Sequence, residues 1–435
     1  MEHAMPDLLR PPTPPATVVW KFGGTSVADH ERLRAVAERM VAAHHDGLRV
    51  VAVLSAMGRS TDELCARAYT MSSQPSLREL DALLSVGEAI SCALAAMAIH
   101  ELGCRAVSLN AAQIGIVTDG AHSNARLRHV PTHRITAELD DGAIVLVTGF
   151  QGVSETGDVT TLGRGGSDAS AVAVAAALGL DRCDIYTDVP GVFTADPRLV
   201  PDARPLESVG HEEMLELAEG GAGVLQPRAV ELAAAQGVDV HLRSSFTHES
   251  GTWIRRELPR LESLDVVGLA HRHQERLYAV PDVSPSHVAS VLAARGASVG
   301  ALVRQGSEVR FTAPGTDPAE IDAAFGAADG GVRVHDDLGT VSVVSTGIAR
   351  KPEITCRALR ALEGAGIEAF LLTVTPGRVS VHVDAARVPH AVRLLHDTFL
   401  GPAVPAPVAD VVPIPVPALD PVDADGAHPR GESVR

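Results

Sequence analysis

Residues 160–187 read TTLGRGGSDASAVAVAAALGLDRCDIYT, in which a glycine-rich loop is followed by an apolar helical stretch and then by a strand. We predict the helix over Ser167–Leu178 and the strand over Cys183–Thr187. Strands rich in Val, Ile and Leu that alternate with helices are typical of a mostly parallel sheet covered on both faces. The same alternation extends from Thr17 to about Phe246, and its further predicted elements are the strands Thr17–Phe22, Arg49–Leu54, Ala143–Thr148 and Val238–Leu242 and the helices Ala28–His45, Leu80–Leu102 and Val224–Ala235. The sequence therefore predicts one α/β domain over that interval.

The pattern changes near residues 247–262, where charge and proline interrupt it and where we predict a linker. Two similar stretches follow, each with the order helix, strand, turn, strand, helix. Two copies of a small α+β unit with the order βαββαβ fit this weak repeat. We therefore predict one module over 263–335 and a second over 336–400. The Pro-rich residues 1–16 and 401–435 are predicted to be disordered.

Composition excludes several classes of partner. The net charge is −17 and there is no basic run, whereas a nucleic-acid-binding protein usually carries a basic patch. The five cysteines are scattered and form no CxxC pair, which is typical of reduced thiols in the cytosol. The N-terminus lacks the features of a signal peptide, and the most apolar stretch, Ala89–Ile99, is too short to span a bilayer. We expect a cytoplasmic protein without a nucleic-acid or membrane partner.

The first chemical signal is VVWKFGGTS at residues 18–26, between a strand and a helix start. The backbone N–H groups of two glycines can approach phosphate oxygens, and the helix N-terminus favours anions. Only two of the 37 basic residues are lysines, Lys21 and Lys351. A compact ammonium at Lys21 could reach the same phosphates, whereas Lys351 has no comparable neighbours. Taken alone, the two glycines are better explained by a tight turn.

The second signal is the glycine-rich loop of residues 160–170. Arg164 offers a planar, bidentate grip on a carboxylate. Ser167 or Asp168 is expected to cap the following helix. A third signal, IYTDVPGVFTADPR at residues 185–198, is unremarkable as a turn, but at a nucleotide site it would supply a polar contact, a ring to pack on a base and a cation.

The order of these strings is more specific than any one of them. KFGGTS is followed by SAMGRST (55–61), SVGEAIS (85–91), GFQG (149–152), TTLGRGGSD and YTDVPGVFTADPR. This order resembles the aspartate kinases of the amino-acid kinase superfamily over about residues 17–400. The resemblance includes their C-terminal paired ACT modules, which bind small amino-acid effectors. It implies an amino-acid kinase fold and the phosphorylation of the L-aspartate side-chain carboxylate by ATP.

The resemblance also implies residue roles. Lys21 looks like the lysine that bridges the transferred phosphoryl group and the aspartate carboxylate, and Asp168 like the acid that orients it. The other implied roles are phosphate binding by Gly23 and Gly24, substrate binding by Thr61, Glu88, Arg164 and Ser167, and nucleotide binding by Thr187, Asp188, Phe193 and Arg198. Mg²⁺ is expected to be held largely by phosphates and waters, without a protein metal cage. ACT modules usually need a partner module, so at least a dimer is expected.

Two strings depart from the family pattern. Residues 221–228 read GAGVLQPR, with Gly223 where the family has a lysine that contacts nucleotide. Residues 282–285 read DVSP, where DKPG is common at the effector-binding turn. Two alternatives therefore stay open beside a regulated biosynthetic aspartate kinase on the route to lysine, threonine and methionine. One is a paralogue with altered feedback in a specialised pathway, and the other is a weakly catalytic protein kept for effector binding.

Overall fold

The computed structural model describes residues 15–256, 266–314, 316–325 and 332–401. Nearly all of the two predicted disordered extensions, and the end of the predicted linker, lie outside the described residues. All five cysteines lie within them as free thiols, as predicted, and three of the five are buried.

The N-terminal part of the chain contains an eight-stranded sheet, a smaller four-stranded sheet and nine helices within the described residues. The elements are β1 Thr17–Phe22, α1 His30–His45, β2 Arg49–Leu54, α2 Ser60–Met71, α3 Leu77–Leu84, α4 Val86–Glu101, β3 Ala106–Leu109, α5 Ala111–Ile114, β4 Val117–Thr118, β5 Leu127–His129, α6 His133–Asp140, β6 Ile144–Thr148, β7 Gln151–Ser154, β8 Val159–Thr161, α7 Gly166–Ala177, β9 Arg182–Thr187, β10 Ser208–Gly210, α8 His211–Gly220, α9 Pro227–Gln236, β11 Asp239–Ser244 and β12 Thr252–Arg255.

The large sheet has the order β10-β12-β11-β9-β1-β2-β6-β3. Every neighbouring pair is parallel except β11 and β12. The predicted mostly parallel sheet is thus confirmed, with β1 near its centre. Strand β12 lies inside the interval 247–262, so this part of the predicted linker is a strand of the sheet, paired between β10 and β11.

Both faces of the large sheet are covered, as the apolar strands predict. Successive residues of a strand point to opposite faces. In β2, Val50, Ala52 and Leu54 pack into a core with helices α1 and α4. Val51 and Val53 pack into a separate core with α6, α7 and α9. This double burial explains why β2 consists almost entirely of apolar residues.

The apolar stretch predicted as one helix is present as α3 and α4, with Ser85 between them in helical backbone conformation. Together they span Leu77–Glu101, which is long and apolar enough, by length and composition alone, to cross a membrane. In this fold α4 instead packs against α1, β3 and β6.

The C-terminal part forms one six-stranded antiparallel sheet, in the order β14-β15-β13-β16-β18-β17, with helices packed on it. Its elements are β13 Gly268–Pro281, α10 Pro285–Ala293, β14 Ala301–Gln305, β15 Glu308–Thr312, α11 Pro318–Phe325, β16 Arg333–Val344, α12 Pro352–Gly364, β17 Leu371–Val374, β18 Arg378–Asp384 and α13 Val388–Leu400.

The two long strands of this sheet are shared by both halves. The start of β13 pairs with the end of β16 (Gly268 opposite Val344), and the end of β13 pairs with the start of β16 (Ala279 opposite Arg333), with irregular pairing around Glu275. Each half of the sheet therefore contains four strands, and β13 and β16 contribute to both halves. The boundary predicted at 335/336 falls inside β16. The second half of the sheet also includes the start of β13, which precedes the first half in the chain.

Helix α8 joins the two sheets. A Cβ atom at Gly220 would lie 2.9 Å from the Cβ of Ala270 on β13, so the end of the helix packs against the C-terminal sheet without a side chain between. Arg378 Nη1 donates to the carbonyl of Glu216 at 3.0 Å, and Thr375 Oγ1 donates to the Glu216 carboxylate at 2.9 Å.

Candidate active site

Lys21 lies near the carboxyl end of β1, the central strand. Its Nζ is 2.5 Å from Asp168 Oδ1, and the two side chains are only 10% and 9% exposed. Asp168 lies in the first turn of α7, where the helix dipole favours a negative charge. A buried lysine without a counter-ion would be costly, and Asp168 supplies that counter-ion. The structure thus brings the two predicted catalytic residues together.

The Gly23-Gly24 loop lies beside the Lys21 ammonium. The N–H of Gly23 donates to the carbonyl of Tyr186 on β9 at 3.1 Å. A Cβ atom at Gly23 would lie 3.4 Å from Lys21 Nζ, and one at Gly24 would lie 3.0 Å from the Ala56 carbonyl oxygen. A side chain at Gly23 would occupy the space beside the cation, whereas one at Gly24 would crowd the backbone at Ala56.

Glu88 is a buried acid with one unsatisfied oxygen. It lies in the first turn of α4 and is 3% exposed. Its Oε1 accepts a hydrogen bond from the Ala56 N–H at 3.2 Å, whereas its Oε2 is buried and has no hydrogen-bond partner within the described residues. Burial raises the pKa of Glu88 to about 7. A buried acceptor without a partner is unusual and fits a carboxylate that waits for a cationic group.

Arg164 extends from the loop before α7 and is exposed. The glycines on either side, Gly163 and Gly165, have φ angles of 77° and 71°, in the left-handed region that glycine adopts readily. The expectation that Ser167 or Asp168 caps α7 is wrong. Gly165 is the N-cap residue and no side chain caps the helix, which leaves both polar side chains within the first turn.

Ser167 is buried beneath Gly149, at the end of β6. A Cβ atom at Gly149 would lie 2.6 Å from Ser167 Oγ, so only glycine allows this approach. Thr61 lies half-buried in the first turn of α2, one turn before Cys65. Burial and the charge of Asp62 raise the pKa of Cys65, and the positive charge of Arg164 acts in the opposite direction. Arg164 therefore lies near this face of α2.

The predicted nucleotide residues lie at the end of β9 and on the loop after it. Thr187 Oγ1 donates to Asp188 at 3.1 Å, and Asp188 is exposed. Phe193 forms an isolated antiparallel bridge with Pro205. The side chain of Arg198 is 89% exposed and pairs with Asp196 on its own loop at 2.7 Å. Its guanidinium therefore already has an anionic partner in this structure.

Gly223 and Arg228 differ sharply in their surroundings. Gly223 is exposed, and a Cβ atom there would meet no heavy atom within 4 Å. Arg228 donates from Nη2 to the carbonyl of Ala125 at 2.6 Å and from Nη1 to the carbonyl of Leu162. Arg228 is thus bound to the backbone of the glycine-rich loop.

Comparisons with known proteins show the family of the chain. Residues 16–244 match the amino acid kinase family. The chain is 43% identical over 393 residues to an aspartokinase of Geobacillus stearothermophilus, covering 88% of this chain and 97% of the relative. It is also 43% identical over 405 residues to an aspartokinase of Mycolicibacterium smegmatis, covering 88% and 96%. The chain belongs to the aspartokinase family.

Solved structures support the same fold for both sheets. E. coli aspartokinase III, in complex with aspartate and ADP, superposes with a TM-score of 0.75 at 22% identity, covering 88% of this chain and 99% of that one. Aspartate kinase from Synechocystis is 34% identical with a TM-score of 0.52, covering 91% and 71%. The predictions of fold, family and enzyme class are therefore confirmed for this aspartokinase.

Two features of the site were missed by the sequence analysis. Phe22 stacks on Tyr186 with ring centroids 4.8 Å apart, beneath the Gly23 loop. Asp81 is fully buried and bonds both to Thr161 in the glycine-rich loop and to Ser123 in a segment that contacts this loop. An acid within an amphipathic helix carries no local signal that could have revealed this.

Proposed function

We propose that this aspartokinase transfers the γ-phosphoryl group of ATP to the side-chain carboxylate of L-aspartate, giving 4-phospho-L-aspartate and ADP. A carboxylate oxygen attacks phosphorus as the bond to the β–γ bridging oxygen breaks. The aspartate carboxylate is ionised at neutral pH, so no general base is needed. Phosphoryl transfer then requires mainly positioning and neutralisation of charge.

The observation that carries this proposal is the buried Lys21–Asp168 pair beside the glycine loop. Lys21 would lie between the carboxylate and the phosphoryl group and balance the negative charge of both. Gly24 would present its backbone N–H to the phosphates, and Gly23, whose own N–H bonds to the Tyr186 carbonyl, would leave room for them beside Lys21. Because these groups are already in place before substrate binds, little reorganisation is needed in the transition state.

The aspartate would be held by its two other charged groups. Arg164 suits its α-carboxylate, and the unpaired Oε2 of Glu88 suits its ammonium. Ser167 and Thr61 would contribute hydroxyl groups to the same pocket. Opposite charges on the two sides would select a free α-amino acid over an N-acylated one.

The nucleotide would lie along the end of β9, near Thr187, Asp188, Phe193 and Arg198. Mg²⁺ would arrive with ATP, held largely by the phosphates and by water. Bound to the phosphates, Mg²⁺ would neutralise part of their charge. We further propose a cytoplasmic enzyme on the route to lysine, threonine and methionine.

A hydroxamate assay with ATP and aspartate tests the proposal, with N-acetylaspartate and glutamate as alternative acceptors. We expect product with aspartate and very little with N-acetylaspartate, which cannot pair with Glu88. Equal turnover of both acceptors would contradict the assigned pocket. The exposed Gly223 favours one second candidate, a weakly catalytic effector-binding protein, and absence of turnover at saturating ATP would support it.

We also propose that the C-terminal sheet acts as a pair of ACT-like modules in an oligomer, with weak or altered feedback. At the turn before α10, Asp282 has a φ angle of 53°, and Ser284 caps the helix by accepting from the His287 N–H at 3.1 Å. Pro285 then occupies the first helical position, where it supplies no N–H to a ligand. Strong concerted inhibition by lysine and threonine in the activity assay would contradict this proposal.

A further inference from the structure

We propose that Asp81 and Arg228 are positioning residues for aspartate binding, because they hold the loop that carries Arg164. The inference rests on the proposed role of Arg164 and extends it. Arg164 is exposed and has glycine on both sides, so the sequence next to it offers little rigidity. Contacts with the residues just before Gly163 supply two side-chain restraints on this loop.

Asp81 supplies the first restraint. It lies on α3, is 0% exposed, and accepts from Thr161 Oγ1 at 2.6 Å. Thr161 is the last residue of β8, two residues before Gly163. Asp81 also accepts from the N–H of Ser123 at 2.9 Å and bonds to His122 Nδ1 at 2.8 Å. A carboxylate with this many partners can be buried at low cost and fixes all of them together.

The segment around Ser123 is itself part of the loop's support. Ser123 has a φ angle of 65°, a conformation that L-residues rarely adopt and that the bonds to Asp81 hold in place. A Cβ atom at Gly163 would lie 3.0 Å from the Ser123 carbonyl oxygen, so the two backbones are in close contact. The N–H of Ala125 donates to the Thr161 carbonyl at 2.9 Å.

Arg228 supplies the second restraint, from the start of α9. Its guanidinium binds the carbonyls of Leu162 and Ala125 and so ties the two segments to each other. Burial lowers the pKa of Arg228, and the positive charge of Arg126 acts in the same direction. The side chain of Gln226, two residues earlier, packs directly over Gly165, leaving no room for a Cβ atom there. The two residues that precede Gly163 are therefore each bound by a charged side chain from elsewhere in the chain, Thr161 through its hydroxyl and Leu162 through its carbonyl.

Loss of these restraints should weaken aspartate binding more than it slows phosphoryl transfer. If either restraint is lost, Arg164 samples more orientations, and aspartate must then order the loop when it binds. Lys21 and the nucleotide loop are anchored elsewhere, so ATP binding should change little. A rise in KM for aspartate, with a smaller change in kcat and an unchanged KM for ATP, is the expected signature.

Thr161→Val tests the link to Asp81 with an isosteric side chain. We expect KM for aspartate to rise about tenfold, as for the loss of a hydrogen bond to a charged group, and Thr161→Ser to restore it. Thr160→Val is the matched control, because Thr160 Oγ1 bonds to Thr118 Oγ1 at 2.6 Å instead of to Asp81. It should lower the melting temperature without changing KM for aspartate.

Arg228→Met tests the second restraint and should produce the same split between the two KM values. The ammonium of Arg228→Lys can bond well to only one of the two carbonyls. Its KM for aspartate should therefore lie between those of Arg228→Met and the unchanged protein. If Arg228→Met does not fold, the conservative variant and Thr161→Val still provide the test.

Arg164→Ala separates failure of this inference from failure of the proposed function. If Arg164→Ala leaves KM for aspartate unchanged, the proposed role of the loop is wrong, and the inference fails with it. If Arg164→Ala raises it but Thr161→Val and Arg228→Met do not, the positioning role alone is wrong. An equal rise in KM for aspartate in Thr160→Val would also overturn it, by showing a general loss of stability instead.

Discussion

The end of β1 and the loop before α7 each bring a cation to the candidate active site, but they hold it differently. Lys21 belongs to the central strand of the large sheet, is buried and pairs directly with Asp168. Arg164 is exposed between two left-handed glycines, and its loop depends on side chains from α3 and α9.

The difference matches what each cation is proposed to do. A group that neutralises charge during phosphoryl transfer gains from being fixed before the reaction. A group that binds an incoming carboxylate must be accessible from solvent, and its orientation depends on the residues that bind its loop. Substitutions at the first cation should therefore affect kcat, and those at the second should affect KM.

The largest expected effect is that of Lys21→Arg on kcat. The absence of a side chain at Gly23 leaves space beside Lys21 Nζ, and a wider guanidinium would occupy the part of it that a phosphate needs. We expect kcat to fall by about a hundredfold or more, which is typical for removal of a transition-state contact. Steady-state kinetics measure kcat, and the melting temperature checks the fold. The melting temperature should change little, because arginine keeps the positive charge of the buried pair. A near-normal kcat would show that the pair is only structural.

Next in size is the effect of Arg164→Ala on aspartate binding. Loss of a bidentate, charged contact should raise KM for aspartate about ten- to a hundredfold, with little change in KM for ATP. Arg198→Ala, another exposed arginine, provides the comparison and should affect ATP instead. If both variants alter the same KM, the separation of the two subsites is wrong.

A smaller effect concerns pH and Glu88. The pKa of this acid is raised to about 7, so its carboxylate is protonated and uncharged as the pH falls below that value. KM for aspartate should therefore rise on going from pH 8 to pH 6, as the partner of the substrate ammonium is lost. The pH profile of kcat/KM at saturating ATP measures this directly, because it reports groups of the enzyme before aspartate binds. In Glu88→Gln the inflection near neutrality should disappear, and its persistence would assign it to another group.

The smallest expected effect is that of Gly223→Lys on ATP. The position is exposed and has open space around it, so a lysine would fit without moving other residues. A new charge-assisted contact should lower KM for ATP by about two- to tenfold. An unchanged KM would mean that this loop does not reach the nucleotide, and Gly223→Gln controls for the added side-chain length.

Much of the fold followed from local patterns. Runs of Val and Ile marked β1, β2 and β6, because both faces of these strands are buried. The order of the glycine-rich strings identified the family before any contact was known. The pairing of Lys21 with Asp168 was also expected from the family pattern, although the two residues lie far apart in the chain.

Other features could not be inferred because they depend on residues that are distant in sequence. The Asp81–Thr161 bond joins positions 80 residues apart, and the Arg228–Ala125 bond joins positions 103 apart. The helix-capping expectation failed because the local preference of Ser and Asp for a cap lost to the geometry of Gly165 and to burial of both side chains.

The amino-acid sequence by itself determined the alternation of strands and helices, the position of each glycine-rich turn and the family of the enzyme. These properties rest on short-range periodicity and on backbone freedom at single residues. The tertiary structure alone decided that β13 and β16 serve both halves of the C-terminal sheet, and that α8 joins this sheet to the catalytic one. It also decided which buried charges hold the Arg164 loop, because strand pairing and burial of polar groups are settled only when distant segments pack together.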